Sequence, residues 1–253
     1  MAEFPKLEVR TGIAVWCRRF PEAPWCAVIR RDMTTLVLAT RNAHKVREIR
    51  RILSEEFRYV TLNDLPNIPL VPEDAETFAG NATKKAVTLA RWFVAIHSSR
   101  FTVHDSQCLV LADDSGLEVD ALNGAPGVHS ARFVALDSGQ PRNSPDAANN
   151  AKLLRLLKGV PAEKRTARFR CVIAAATAGT LHSALRTPQL FEGVCEGRIG
   201  FEARGRGGFG YDPLFIPVGY EQTFAELGEA VKNTLSHRAR ALMKLRERLA
   251  TIS

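Results

Sequence analysis

In the run "QCLVLADDSGLEV", residues 107–119, an apolar stretch leads into two consecutive carboxylates, Asp113 and Asp114, with Ser115 and Gly116 directly behind them. The stretch reads as a buried strand that ends in the acids, and in α/β sheets chemistry gathers at the carboxyl ends of strands. Successive strand side chains point to opposite faces, so the two acids are not expected to share a role. One faces a cleft, where a carboxylate can bind Mg2+ or activate a water, and the other braces the loop. An Asx turn capping the strand would account for the same residues without chemistry.

Four further stretches carry residue types that could act with these acids. "ATRNAHK", residues 39–45, lies at a strand-to-helix turn. Unpaired N–H groups at a helix start favour an anion; Thr40 and Asn42 add donors, and Lys45 sits one turn in. An N-cap followed by a solvated lysine is the plainer account. In "PEDAETF", Glu73, Asp74 and Glu76 precede a helix, where acids suit the dipole, although one of them could be a second carboxylate for Mg2+. "GAPGVHSARF" is turn chemistry, with His129 and Arg132 within possible reach of a ligand. Last, "GGFGYDP", residues 207–213, pairs with "KNTLSHR", residues 232–238. Phe209 and Tyr211 are flat rings that can stack on a base, Gly207, Gly208 and Gly210 allow close backbone approach, and Lys232, His237 and Arg238 supply donors. A glycine-rich hairpin whose rings join the core remains open for the first, and a capped, solvated helix start for the second.

Positioning these residues requires an α/β frame. "TLVLA" from Thr35 reads as a short buried strand, and "AHKVREIRRIL" as a helix with Val46, Ile49, Ile52 and Leu53 on one face and Asn42 as its cap. Residues 78–95 form an alanine-rich helix. "SPDAANNAKLLRLLKG" is a third, with Ser144 as N-cap, Pro145 in its first turn and Gly159 after its end. "TARFRCVIAAA" alternates as a strand, residues 191–216 read as strands and a glycine-rich loop, and "SHRARALMKLRERL" closes the chain as a helix capped by Ser236. Residues 98–107 read as a surface loop. Residues 1–33, with Trp16 and Trp25 and no helical period, are expected to be an appendage of unknown role, and "MTTLVLAT" looks like an ordinary start at Met33. The domain proper is expected over residues 34–253.

The 253 residues carry 45% hydrophobic and 25% charged side chains, as an ordinary globular chain does. No apolar run approaches the ~20 residues of a membrane helix. Five cysteines at wide spacings, with no CxxC pair, argue against both a disulfide framework and a thiolate zinc site and suit a reduced, cytoplasmic protein. The net charge of +8 fits nucleic acid, a phosphorylated small molecule or no charged partner at all.

In order and spacing, "LATRNAHKVREI", "TFAGNATKKA", "ADDSGLEVDALNGAPGVHSARF", "RFRCVIA", "GGFGYDPLF" and "NTLSHRARAL" resemble the inosine triphosphate pyrophosphatases, from about Thr35 to about Leu249. The resemblance implies an elongated mixed β-sheet flanked by helices, two lobes around a nucleotide-binding cleft, and a homodimer. It implies Mg2+-dependent hydrolysis of non-standard purine nucleoside triphosphates (ITP, dITP, XTP) to the monophosphate and pyrophosphate. It further implies that Thr40, Arg41, Asn42, Ala43, His44 and Lys45 bind phosphates and that Glu73 and Asp114 bind the metal, with Asp114 as the catalytic base. Ser115 becomes a substrate contact, Phe209, Gly210, Tyr211 and Asp212 the base pocket, and Lys232, His237 and Arg238 the base-reading donors. Within that pocket Phe209 is expected on the face of the base and Tyr211 along its wall. The chain departs from the family pattern at Arg41, Ala75, Glu76 and Val231. A basic nucleic-acid-binding domain and a nucleotide sensor without hydrolysis remain as alternatives. A membrane is not an expected partner, for want of a long apolar run, and nor is nucleic acid, because paired acids repel a phosphate backbone unless a metal bridges them.

Overall fold

The computed structural model describes residues 34–97, 108–139, 142–178 and 187–251. The expectations for residues 1–33 and for the loop 98–107 lie outside them. Six strands form one mixed sheet in the order β2-β1-β3-β4-β5-β6. They are β1 (Thr35–Leu38), β2 (Arg58–Thr61), β3 (Cys108–Val119), β4 (Thr166–Thr177), β5 (Gln189–Ile199) and β6 (Phe215–Pro217). β1 runs parallel to β2 and β3, whereas β3 to β6 are antiparallel. The helices are α1 (Ala43–Leu53), α2 (Phe78–His97), α3 (Asp146–Leu156), α4 (Phe224–Leu235) and α5 (His237–Ala250). None of the described helices is long and apolar enough to cross a membrane.

Two local readings change. The strand does not end at the acids: β3 continues to Val119 because β4 pairs along almost all of it, Asp113 opposite Ile173 and Asp114 opposite Val172. What ends is the parallel neighbour β1, whose last pair is Leu38 with Leu111. The acids therefore lie just past the point where one side of β3 loses its partner, and the chain leaving β1 turns into α1 there. Ser144 does not cap α3. Its hydroxyl accepts from the Ala135 N–H at 3.1 Å, and Pro145 takes the capping position without a side-chain bond. Asn42 and Ser236 do cap their helices, each accepting from N–H groups of the first turn.

Three apolar clusters hold the frame. On one face of the sheet, α2 packs Ala82, Ala86, Leu89 and Phe93 against Val37, Val110 and Ala112. On the other, Ile49 and Leu53 of α1 and Leu242 and Leu245 of α5 cover Leu36, Leu38, Leu111 and Ile173. Beyond the end of β1, Leu117, Phe169, Leu153, Phe215 and Phe224 form a third, separate core.

The start of α5 sits on β5 through Gly193, where a Cβ would come 2.0 Å from the His237 carbonyl oxygen and 2.6 Å from the Ala241 nitrogen. Both contacts are backbone, so the helix itself would have to move. Gly193→Ala is expected to lower stability by about 1–3 kcal/mol, the usual range for overpacking, read as a lower urea midpoint with unchanged slope. An unaltered midpoint would mean that α5 is free to shift.

Candidate active site

β3 sends its two acids to opposite faces, as strand periodicity demands. Asp113 points towards α1 and α5. Its carboxylate accepts from Arg238 Nε at 2.8 Å, from Ser115 Oγ at 2.9 Å, from Lys45 Nζ and from the Cys171 thiol at 3.2 Å. Burial alone would raise this carboxyl, but Arg238 and Lys45 override it and hold it well below the usual range. Asp113 is thus an ionised anchor for two cations.

Asp114 points towards α2. It accepts from Asn81 Nδ2 at 3.1 Å and lies 3.5 Å from Lys85 Nζ. Burial raises its proton affinity; Lys85 and Lys45 oppose this, and nearby Glu73 adds to it. Lys85 also reaches Glu73 Oε1 at 3.1 Å and the Asp113 carbonyl at 3.0 Å. Burial disfavours its charge, but Asp114 and Glu73 more than restore it, so its affinity for the proton rises. Of the three acids before α2, only Glu73 turns this way. Arg132 steadies it by donating to its backbone oxygen at 2.8 Å. Asp74 pairs with Lys84 in solvent, and Glu76 is exposed.

The turn after β1 is built by short-range bonds. Asn42 Oδ1 accepts from the N–H groups of His44 and Lys45 at 2.9 and 3.2 Å, and Thr40 Oγ1 accepts from the Asn42 N–H. Arg41, Ala43 and His44 are exposed beside it.

Behind the turn runs a buried string of alternating charge. Asp212 accepts from Lys232 Nζ at 2.6 Å, and Lys232 meets Glu48 at 2.9 Å. Glu48 pairs with Arg238, and Arg238 with Asp113. Burial would raise Glu48, yet Arg238 and Lys232 bring it below its ordinary value. Arg238 is 1% exposed and also donates to Ser115 Oγ at 2.8 Å. His237 stacks on Phe169 at 4.8 Å, and its Nδ1 has no partner among the described residues. Burial, followed by Arg238 and Lys232, drives its proton affinity well below that of a free imidazole.

The two rings of "GGFGYDP" part company. Phe209 is half-buried, stacked on His44 at 5.1 Å, with Lys232 Nζ 4.3 Å from its centroid. Between His44, Arg47, Phe209 and Lys232 remains a cavity of about 10 Å³, room for one water. Tyr211, expected along the wall of the base pocket, is instead a core ring. It is 4% exposed, packs with the third cluster and donates its hydroxyl to the Ser130 carbonyl at 2.9 Å. Asp212 is a brace: it accepts from the Phe209 N–H at 2.8 Å as well as from Lys232. Gly208 is required for this bend, since its φ is +75° and a Cβ would collide with the Asp212 carboxylate.

Sequence reasoning missed Glu48, Asn81, Lys85 and the use of Arg132. Glu48 left a trace, standing one turn after Lys45 and next to apolar Ile49. Asn81 and Lys85 are spaced i, i+4 along the edge of the α2 core stripe, which was the available sign that both face the sheet.

A mixed sheet flanked by helices, with acids facing both ways past the end of a parallel strand, defines an α/β protein. Within that class the chain belongs to the Ham1 family, whose family model matches residues 36–248. A dITP/XTP pyrophosphatase from Desulforamulus reducens is 51% identical over 214 residues, covering 84% of this chain and 94% of that protein. Another so named, from Geobacter sulfurreducens, is 46% identical over 218 residues, 86% of this chain and 97% of its own. The structure of a HAM1 protein from Coxiella burnetii matches with a TM-score of 0.69 at 34% identity, over 87% of this chain and 100% of that one.

Proposed function

We propose that this protein is a nucleoside triphosphate pyrophosphatase that hydrolyses non-standard purine nucleoside triphosphates (ITP, dITP and XTP) to the monophosphate and pyrophosphate, clearing them from the nucleotide pool. The observation that carries the reading is the placement of the two acids of β3: Asp113 is paired with Arg238 and Lys45 on one face, while Asp114 meets Asn81 and Lys85 on the other, with Glu73 on the same lysine. The names of the relatives agree with it.

Glu73 and Asp114 fit Mg2+. They are hard oxygen donors, and two carboxylates are what a protein usually supplies when phosphates and waters complete the octahedron. When bound, the ion offsets charge on the triphosphate and on the departing pyrophosphate. The chain's own residues do the rest. The N–H groups at the start of α1, with Thr40, Asn42 and Lys45, hold phosphate oxygens. Asp114 takes the proton of the attacking water as the α–β anhydride breaks. Phe209 stacks on the purine, and Lys232, His237 and Arg238 present donors to its 6-oxo oxygen. Adenine carries an amine there, which cannot accept from those donors, and is disfavoured. The catalytic domain spans residues 34–253, with residues 1–33 outside it, and the protein acts as a cytoplasmic homodimer.

The test is to incubate the protein with ITP, dITP, XTP, ATP and GTP, with Mg2+ or EDTA, and to quantify pyrophosphate and phosphate separately. Mg2+-dependent pyrophosphate release from ITP far above that from ATP is expected. Binding without turnover would make the protein a sensor. Salt-sensitive nucleic-acid binding with no nucleotide response would overturn the reading altogether.

A further inference from the structure

Phe209 is held by contacts that a substrate must disturb. His44 stacks on it, Lys232 lies over it, and the space between them holds only one water. A ring that must re-form its stack on an incoming base needs its backbone held from elsewhere. That hold is visible next door, at Gly210. Its N–H donates to Asp146 Oδ2 at 2.7 Å, and its carbonyl accepts from Asn150 Nδ2 at 3.0 Å. The two side chains stand i, i+4 on one face of α3 and take both polar groups of a single residue. Gly210 has φ of +63°, a conformation that a side-chain-bearing residue rarely adopts, although space for a Cβ is open there. The same helix steadies the next residue too: Asn149 donates to the Ser130 carbonyl, which also accepts the Tyr211 hydroxyl. Asn150 is buried, while Asp146 is exposed in the first turn of α3. Neither residue belongs to the charged string or to the phosphate turn.

We propose that Asp146 and Asn150 are positioning residues for base recognition: from α3 they grip Gly210 and so set the Phe209 ring against the purine. This rests on the pyrophosphatase reading above and names a part of the site that the reading does not use.

Removing either grip is expected to loosen the stack without touching Asp114 or the phosphate turn. Asp146→Ala and Asn150→Ala should raise KM for ITP about fivefold to tenfold, a fraction of what one base–ring stack is worth, with kcat within about twofold. Asp146→Asn keeps an oxygen acceptor for the Gly210 N–H and should restore the wild-type KM. Because it lacks the charge, it also separates the grip from helix-dipole stabilisation. Asn150→Asp keeps the volume and loses the donor, so it should behave like Asn150→Ala, and it serves if the alanine variant fails to fold. In a Phe209→Ala background Asn150→Ala should add nothing further to KM, since the two act through one ring. In nucleotide-free protein, amide hydrogen exchange over residues 207–212 should speed up in both alanine variants.

Unchanged KM and unchanged exchange in the alanine variants would overturn the proposal. So would a raised KM in Asp146→Asn, or additive effects in the Phe209→Ala background. Wild-type protein that releases no pyrophosphate from ITP would sink the functional reading by itself, and the exchange measurement would still decide whether α3 holds the loop.

Discussion

Asp114→Asn is expected to lower ITP turnover by about 10³-fold or more while leaving the protein at least as stable as the wild type. On the proposed mechanism the loss of rate combines a missing general base, itself worth roughly 10²–10⁴-fold, with a missing carboxylate for Mg2+. The stability half follows from its protonation. The folded-state affinity of Asp114 for its proton is raised, chiefly by burial, so folding disfavours the carboxylate and its charge is a net burden at neutral pH. An amide of the same shape removes that burden and can still accept from Asn81. Asp113→Asn should do the reverse to stability. The folded-state carboxyl of Asp113 is depressed, so it stabilises the protein above its unfolded pKa, and its loss leaves Lys45 without its carboxylate and Arg238 with Glu48 alone. Breaking such a buried pair typically costs about 3–5 kcal/mol. Thermal unfolding and pyrophosphate release of the two variants, measured side by side, check this. If the two adjacent substitutions destabilise equally, the division of roles between the acids is wrong.

That the two acids face opposite ways was legible in the sequence, because a period of two separates neighbours on any strand. So were the turn at Thr40–Lys45 and the cap at Asn42, since capping bonds span only two or three residues. What was not legible depends on partners far away along the chain. Lys84 and Lys85 are adjacent and chemically identical, yet one pairs with Asp74 in solvent and the other lies between Glu73 and Asp114. Only the packing of α2 on the sheet separates them. Glu48 looked like one more polar residue of an amphipathic helix until α4 and α5 brought Lys232 and Arg238 to it. Tyr211 misled for a similar reason. Two rings in one glycine-rich loop suggested a shared task, but the left-handed Gly210 between them turns one to His44 and the other to Ser130. The fold was easier to read because its elements advertise themselves locally. The length of β3 was not, since it is set by pairing with distant β4, from Leu109 with Thr177 to Val119 with Ala167.

Arg238→Met is expected to destabilise the protein by about 3–5 kcal/mol at pH 7 and to erode discrimination between ITP and ATP. The guanidinium is fully buried and joins three elements: Asp113 on β3, Glu48 on α1 and its own helix α5. Methionine approximates the stem but leaves two buried carboxylates short of a cation, which is the expensive way to break such a network. The pH dependence identifies the cause. In the wild type the Glu48 carboxyl lies below its ordinary value of 4.5, so its contribution is present above pH 4.5 and is lost as pH falls through the folded-state value. In the variant burial acts on Asp113 and Glu48 with less opposition, their proton affinities rise, and acid neutralises them. Wild-type stability should therefore fall on acidification over a range where the variant falls less, and the gap between them should narrow. Urea unfolding at a series of pH values from 7 downwards measures that gap. A gap that stays constant with pH would assign the loss to packing of the arginine stem. A gap that closes would assign it to the stranded carboxylates, and the charged string from Asp212 to Asp113 would then be what ties α4 and α5 to the strand that carries Asp114.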